Sequence, residues 1–241
     1  MTELLQLLFG DFHGKVVSTL ISATRYTIYL SLFAFVGGGF LGLLVTAIRV
    51  ANKGFFGKLF DAYVWLFQSV PLLMLLFITG LGIPVFFNVV VPAWLAASVS
   101  LTLFTSAYLA DVWRGSLEAV TIGQWEGGSS LGLSFWKTLR LVILPQATRI
   151  AIPPTVGFLV QIIKATSLAY IIDYNDVMRW GKKIANSQLD GAEPFVIYPM
   201  IALIYFCLCF PLSLWARRLE KSMLYNRGIE LHKSLSLGAQ A

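Results

Sequence analysis

Residues 62–110 read AYVWLFQSVPLLMLLFITGLGIPVFFNVVVPAWLAASVSLTLFTSAYLA and hold no charged side chain. A bilayer crossing needs about 20 apolar residues, so this run is too long for one helix. It divides at Gly80-Leu81-Gly82-Ile83-Pro84 and at Pro92, where glycine and proline punctuate regular structure. That gives two spans, near 62–82 and 93–111. Working outward, Tyr26–Ile48 is a first uncharged run, Ile150–Ile172 a fourth interrupted only by Lys164, and Pro194–Ala216 a fifth. The runs are continuous rather than alternating, which argues against a β-barrel. The expected fold class is therefore an all-α membrane protein with five transmembrane helices. With flanking residues the spans fall near 17–49, 58–82, 93–113, 146–172 and 194–217, in a single transmembrane domain over 1–241.

Composition agrees. The chain is 57% hydrophobic and 12% charged, against about a quarter charged in a soluble domain. Its net charge of +6 does not point to nucleic acid, because the basic residues flank apolar runs and form no patch. They set topology instead. Arg49, Lys53, Lys58, Arg114, Lys137, Arg140, Arg149, Arg217, Arg218, Lys221, Arg227 and Lys233 fall on one side of the five-span arrangement. Lys15, Arg25, Arg179, Lys182 and Lys183 fall on the other, and Lys164 lies within a span. Twelve against five predicts the N-terminus outside and the C-terminus in the cytoplasm. Met1–Lys15 carries Glu3 and Asp11 without a basic start or a small-residue cleavage pattern, so it is not expected to be a signal peptide.

Cys207 and Cys209 are two apart in an apolar run and do not face each other on a helix, so packing is expected rather than a disulfide or a metal site. Gly38 and Gly42 form a small-xxx-small pair that lets two helices approach closely. The sequence has no internal repeat, which argues against a secondary transporter of fused inverted halves; five helices are also few for a solute pathway, which predicts two copies or a similar partner chain.

The longest polar interruption on the cytoplasmic side ends in Gly123–Pro145, GQWEGGSSLGLSFWKTLRLVILP. Gly123 and Gly132 bracket about two helical turns, Gln124–Leu131. Ser134 is placed to cap a second helix from Phe135, with Phe135, Trp136, Leu139 and Val142 at helical spacing. Pro145 is expected to break that helix before span four. Composition alone is also compatible with an interfacial helix lying on the bilayer.

This stretch resembles the EAA loop of ABC importer permeases: Glu-Ala-Ala, three residues, Gly, nine residues, Ile-x-Leu-Pro. Glu126, Gly132 and Val142-Ile143-Leu144-Pro145 keep that spacing, and Gly127-Gly128 stand in place of the two alanines. Other segments resemble the polar amino acid uptake subfamily (histidine, glutamate, glutamine and arginine type). They are Gln68-Ser69-Val70-Pro71-Leu72-Leu73, Ser106–Gly115, Lys164-Ala165-Thr166-Ser167-Leu168, and Phe210-Pro211 with Arg217-Arg218-Leu219-Glu220. The likeness covers roughly residues 16–222.

The resemblance implies a type I ABC importer permease in the bacterial inner membrane, with a cytoplasmic coupling helix. It implies as partners an ABC ATPase dimer, a second permease subunit, identical or homologous, and an extracytoplasmic solute-binding protein. The sequence has no Gly-x-x-x-x-Gly-Lys-Ser/Thr phosphate loop. No cofactor is therefore expected on this chain, with ATP and Mg held by the ATPase, and the chain is not expected to be an enzyme. Glu126, Gly127, Gly128, Gly132, Leu144 and Pro145 become the candidate ATPase-coupling residues.

Candidate pathway residues are Lys164, Gln161, Gly157, Gln68, Ser69 and Tyr108. Lys164 lies about fourteen residues into span four, roughly 21 Å at 1.5 Å per residue. An ionisable group at that depth usually faces the bundle interior or a wet cavity. Gly157, Gln161 and Lys164 share a helix face, and the lysine suits a substrate carboxylate. Pairing with a neighbouring acid or snorkelling stays open for Lys164, and interhelical hydrogen bonds for Gln68, Ser69 and Tyr108. Asp173 and Asp176 are read as a solvated loop with Arg179, Lys182 and Lys183, with contact to a cationic solute or to the binding protein as the alternatives. An ion-coupled secondary transporter or channel subunit is the alternative function, although Asp111, at a span end, is the one acid near a span interior.

Overall fold

The structure, a computed structural model, describes residues 11–51, 54–187 and 193–238. Lys53 and residues 1–10, used above for topology and for the leader, lie outside them. Every regular element among the described residues is helical. They run α1 (Asp11–Ala51), α2 (Phe55–Ser69), α3 (Leu72–Phe77), a π turn (Ile78–Gly82), α4 (Ile83–Phe87), α5 (Ala93–Glu118) and α6 (Ile122–Ser130). Then come α7 (Phe135–Thr138), a second π turn (Leu139–Ile143), α8 (Leu144–Ala165), a 3-10 segment (Thr166–Ile172), α9 (Val177–Ala185) and α10 (Pro194–Gly238). Among the described residues four helices are long and apolar enough to cross a membrane, or five if the bent pair Phe55–Ser69 with Leu72–Phe87 is one span. The chain is a multi-pass, all-α membrane protein.

The second span, expected above as one run near 62–82, is broken within that run. Phe55–Ser69 and Leu72–Phe87 meet at 97°. Pro71 lacks an amide hydrogen and its ring pushes the preceding residue out of helical geometry; Val70 accordingly sits at φ −88°, ψ 126°. The expected break at Gly80–Pro84 is instead a π turn that runs on to Phe87, where Asn88 ends the helix at φ 51°.

The chain forms two compact units, Met1–Ala110 with Leu159–Phe210, and Asp111–Phe158 with Pro211–Ala241. In the first, Gly38 lies against α5 so closely that a Cβ there would sit 2.4 Å from Thr105 Cβ, and one at Gly42 would sit 3.0 Å from the Ser106 carbonyl oxygen. Helix backbones meet at the small-residue pair, as membrane packing favours. Hydroxyls join the spans: Tyr63 and Ser106 lie 2.6 Å apart, as do Thr79 and Ser100. Each such bond contributes about 0.6 kcal/mol in a membrane protein. Arg49, its side chain 5% exposed, donates Nε to Asp61 at 2.7 Å and joins the end of α1 to the middle of α2. Tyr29, Phe33, Val36 and Phe40 are exposed along one row of α1, the face a lipid-bathed helix presents.

Candidate functional site

The 122–145 segment is built around two glycines. Helix α6 ends at Leu131, and Gly132 follows at φ +73°. The Gly132 amide donates to Ser129 O at 2.9 Å and the Leu133 amide to Gly128 O at 3.1 Å. These paired bonds are the Schellman arrangement, which needs a left-handed residue after the helix. Glycine takes that conformation without a Cβ penalty. The chain thereby reverses and lays α7 back along α6.

Gly128 accounts for the closeness of that return. It is buried, and a Cβ on it would meet Thr138 Cγ2 at 2.5 Å and Oγ1 at 2.8 Å. Gly127 has open space around its Cα. The adjacent glycines 127 and 128 therefore differ: one is a packing requirement and the other is not. The Trp125 and Phe135 rings stack with centroids 5.7 Å apart. Beneath them Val120, Leu139, Ile143 and Ala147 form a buried cluster, with Leu117, Trp125, Val142 and Ile150 packed on it. Gln146 Nε2 donates to Gln124 Oε1 at 3.0 Å. Helix α6 is thus fixed to the start of α8 by apolar packing and one side-chain bridge.

Of the six loop candidates, Glu126, Gly127, Gly132, Leu144 and Pro145 are exposed and only Gly128 is buried. Pro145 does not break the helix. The widened turn at Leu139–Ile143, with the Leu144 amide reaching back to Leu139 O, lets α8 start at Leu144 with the proline in its first turn. There its missing amide hydrogen is no loss. Ser134 stands at the start of α7, but its side chain makes no capping bond.

The pathway candidates are more dispersed. Gly157, Gln161 and Lys164 recur at helical spacing on α8; Gln161 and Lys164 are exposed and Gly157 half-buried with open space at its Cα. Gln68 Nε2 donates to Ala107 O at 3.5 Å. Ser69 is the exposed last residue of α2, just before the 97° bend. Half-buried Tyr108 packs its ring on Phe104, centroids 4.7 Å apart. Thr166 donates to Ile163 O at 2.8 Å and Ser167 to Lys164 O at 2.7 Å, each within its own turn.

The connection after span four holds a group that the sequence does not disclose. Asp176, read above as solvated, is fully buried. Its Oδ1 accepts the Arg179 amide at 2.8 Å and so caps α9, and its Oδ2 accepts the Tyr205 hydroxyl at 3.2 Å. Around it, Val177 N donates to Thr27 Oγ1 and Tyr174 OH to Tyr26 O. The Arg179 side chain turns away to Asp173 and Asn175. Burial pushes the Asp176 carboxyl from 3.8 up to about 6, against the opposing pull of the Arg179 amide and the Tyr205 hydroxyl. Burial and then the Asp176 charge push the Tyr174 phenol up to about 12.

A carboxyl whose folded pKa lies above its unfolded value binds its proton more tightly in the folded chain. Its stabilising contribution is complete below about pH 4 and is lost as pH rises through about 6, on the order of 3 kcal/mol. Asp176→Asn keeps a capping side chain without the titration. The melting temperature of the wild type relative to Asp176→Asn is expected to fall between pH 4 and 7. A pH-independent difference between the two contradicts this.

Residues 38–225 match the family described as binding-protein-dependent transport system inner membrane component. The chain is 34% identical over 201 residues to the probable amino-acid ABC transporter permease protein YckA of Bacillus subtilis, covering 83% of this chain and 87% of that one. It is 33% identical to the probable glutamine ABC transporter permease protein GlnP of the same organism, covering 88% and 96%. It is 36% identical to that organism's L-cystine transport system permease protein TcyB, covering 82% and 83%. Among solved structures, the crystal structure of an amino acid ABC transporter with histidines superposes with a TM-score of 0.81 at 26% identity, over 86% of this chain and 95% of that one. The inward-facing MetNI methionine ABC transporter shares the fold, with a TM-score of 0.65 at 18% identity over 86% of this chain and 95% of that one.

Proposed function

The chain belongs to the family of inner membrane components of binding-protein-dependent transport systems, and on that premise we propose that it is the permease half of an ATP-driven importer of a polar amino acid. The observation that carries this is the clamped helix α6, held to the start of a membrane helix by the Gly128–Thr138 contact and the cluster around Ile143. A short helix fixed in this way moves with α8 as one body. ATP and Mg bind a separate ATPase pair, whose closure pushes on α6. Glu126, Leu144 and Pro145 offer exposed groups to that pair, Gly128 holds the helix in place, and Gly132 sets the turn that aims it. A second permease subunit, identical or similar, completes the pathway, and an extracytoplasmic binding protein delivers the solute. The charge asymmetry between the two sides supports an N-terminus outside and a C-terminus in the cytoplasm.

The relatives named for glutamine and cystine support an amino acid as cargo. Gly157, Gln161 and Lys164 form the pathway stripe, and the Lys164 ammonium meets the carboxylate. Gln68, Ser69 and Tyr108 line it near the bend in span two. Proteoliposomes loaded with ATP and offered labelled polar amino acids with the binding protein test this. Uptake is expected for a small set of them. Lys164→Ala is expected to lower it about ten- to a hundredfold, the loss of one charged hydrogen bond. Wild-type uptake in a folded Lys164→Ala chain removes the lysine from the pathway.

A further inference from the structure

Helix α9 lies outside the five spans, and its construction is unlike that of a membrane-surface helix. A helix lying on a bilayer buries its apolar side in lipid. The apolar side of α9 is already covered by protein. Val177 is fully buried, Ala185 is buried, and a Cβ at Gly181 would meet Ile201 Cδ1 at 2.1 Å. They pack on Val16, Leu20, Ala23, Ile197 and Ile201. The N-terminus of α9 is pinned by the buried Asp176 carboxyl. What α9 leaves to its surroundings is polar: Lys182 and Lys183 are exposed, as are Asn186 and Ser187 just beyond its end.

That face is positive. Arg179 is neutralised by Asp173. Among the described residues Lys182 and Lys183 have no carboxylate within ion-pair distance; Lys182 Nζ sits over the Tyr170 ring at 4.6 Å and Lys183 Nζ over the Trp180 ring at 5.2 Å. Seating over an aromatic face holds an ammonium in place while keeping its charge. Two positioned cations on a rigid helix suit a protein partner of opposite charge, whose approach such a patch steers.

We propose that the exposed face of α9, centred on Lys182 and Lys183, is a docking surface for an acidic patch on the extracytoplasmic solute-binding protein. This rests on the importer function proposed above and on its topology. The residues contact neither solute nor ATP; they set how readily the loaded binding protein engages.

The test uses the complete complex in liposomes of neutral lipid and in liposomes with added anionic phosphatidylglycerol. The probe is the purified binding protein that stimulates wild-type ATP hydrolysis, titrated to saturation. Lys182→Glu/Lys183→Glu is expected to raise the half-saturating concentration about tenfold in both lipids, leaving the saturated rate at the wild-type value. Its dependence on salt is expected to flatten. Lys182→Arg/Lys183→Arg is expected to match the wild type. An unchanged half-saturation in the charge reversal overturns the proposal. A shift seen only with anionic lipid also overturns it and assigns the lysines to headgroups. A wild-type complex that no binding protein stimulates removes the importer function, and this docking surface with it.

Discussion

Gly128→Ala is expected to cut ATP-driven uptake by about tenfold, and Thr138→Ala in the same chain to restore most of it. The added methyl would lie 2.5 Å from Thr138 Cγ2 and 2.8 Å from Oγ1, in a buried contact. Both α6 and α7 are short, so the clash is relieved by tilting α6 away from α8 rather than by local repacking. Overpacking of this kind costs about 1–3 kcal/mol. Thr138→Ala removes the two nearest atoms and leaves Cβ, at 3.2 Å, as the remaining neighbour. Gly127→Ala is the internal control, because nothing lies within 4 Å of its Cβ position. Alanine there favours the helix by about 1 kcal/mol and is expected to leave uptake intact. Equal effects at 127 and 128 would contradict the contact.

Gly132→Val is expected to lower the solute imported per ATP hydrolysed about tenfold, without changing which solute is taken. A left-handed L-residue costs about 1–2 kcal/mol, and β-branching adds to it. Gly132 sits at φ +73° and its amide closes the turn onto Ser129 O. Valine therefore opens the turn and loosens α6 from its seat. Gly132→Asn, which tolerates that conformation, is expected to stay near the wild type. The readout is ATP hydrolysis and uptake measured in one preparation. A changed solute preference with unchanged stoichiometry would mean that the loop does not transmit ATP hydrolysis.

Much of this molecule is legible in its sequence because bilayer thickness converts directly into run length. The apolar runs between Tyr26 and Ala216 and the close approach of α5 at Gly38 and Gly42 follow from that rule and from the small size of glycine. The glycine spacing of the loop was equally visible. Proline was not so easily read. Pro71 stands at a 97° bend between α2 and α3, whereas Pro153 and Pro154 lie inside α8 and the helix continues. Pro145 is absorbed where a π turn gives way to α8. The residue itself is the same in each case, and its surroundings decide the outcome. Asp176 looked like one member of a charged loop. Its burial depends on Tyr205, far along the chain, and on Arg179 turning to Asp173 instead. The reason for Gly128 likewise resides in Thr138, ten residues on, and is visible only once the chain has folded back.

The most direct test of ATP-driven import is uptake into vesicles whose ion gradients have been collapsed with ionophores. With the ATPase subunits and the binding protein present, uptake is expected to depend wholly on ATP on the ATPase side and to stop when ATP is replaced by a non-hydrolysable analogue. Uptake that proceeds on an ion gradient without ATP would contradict the account.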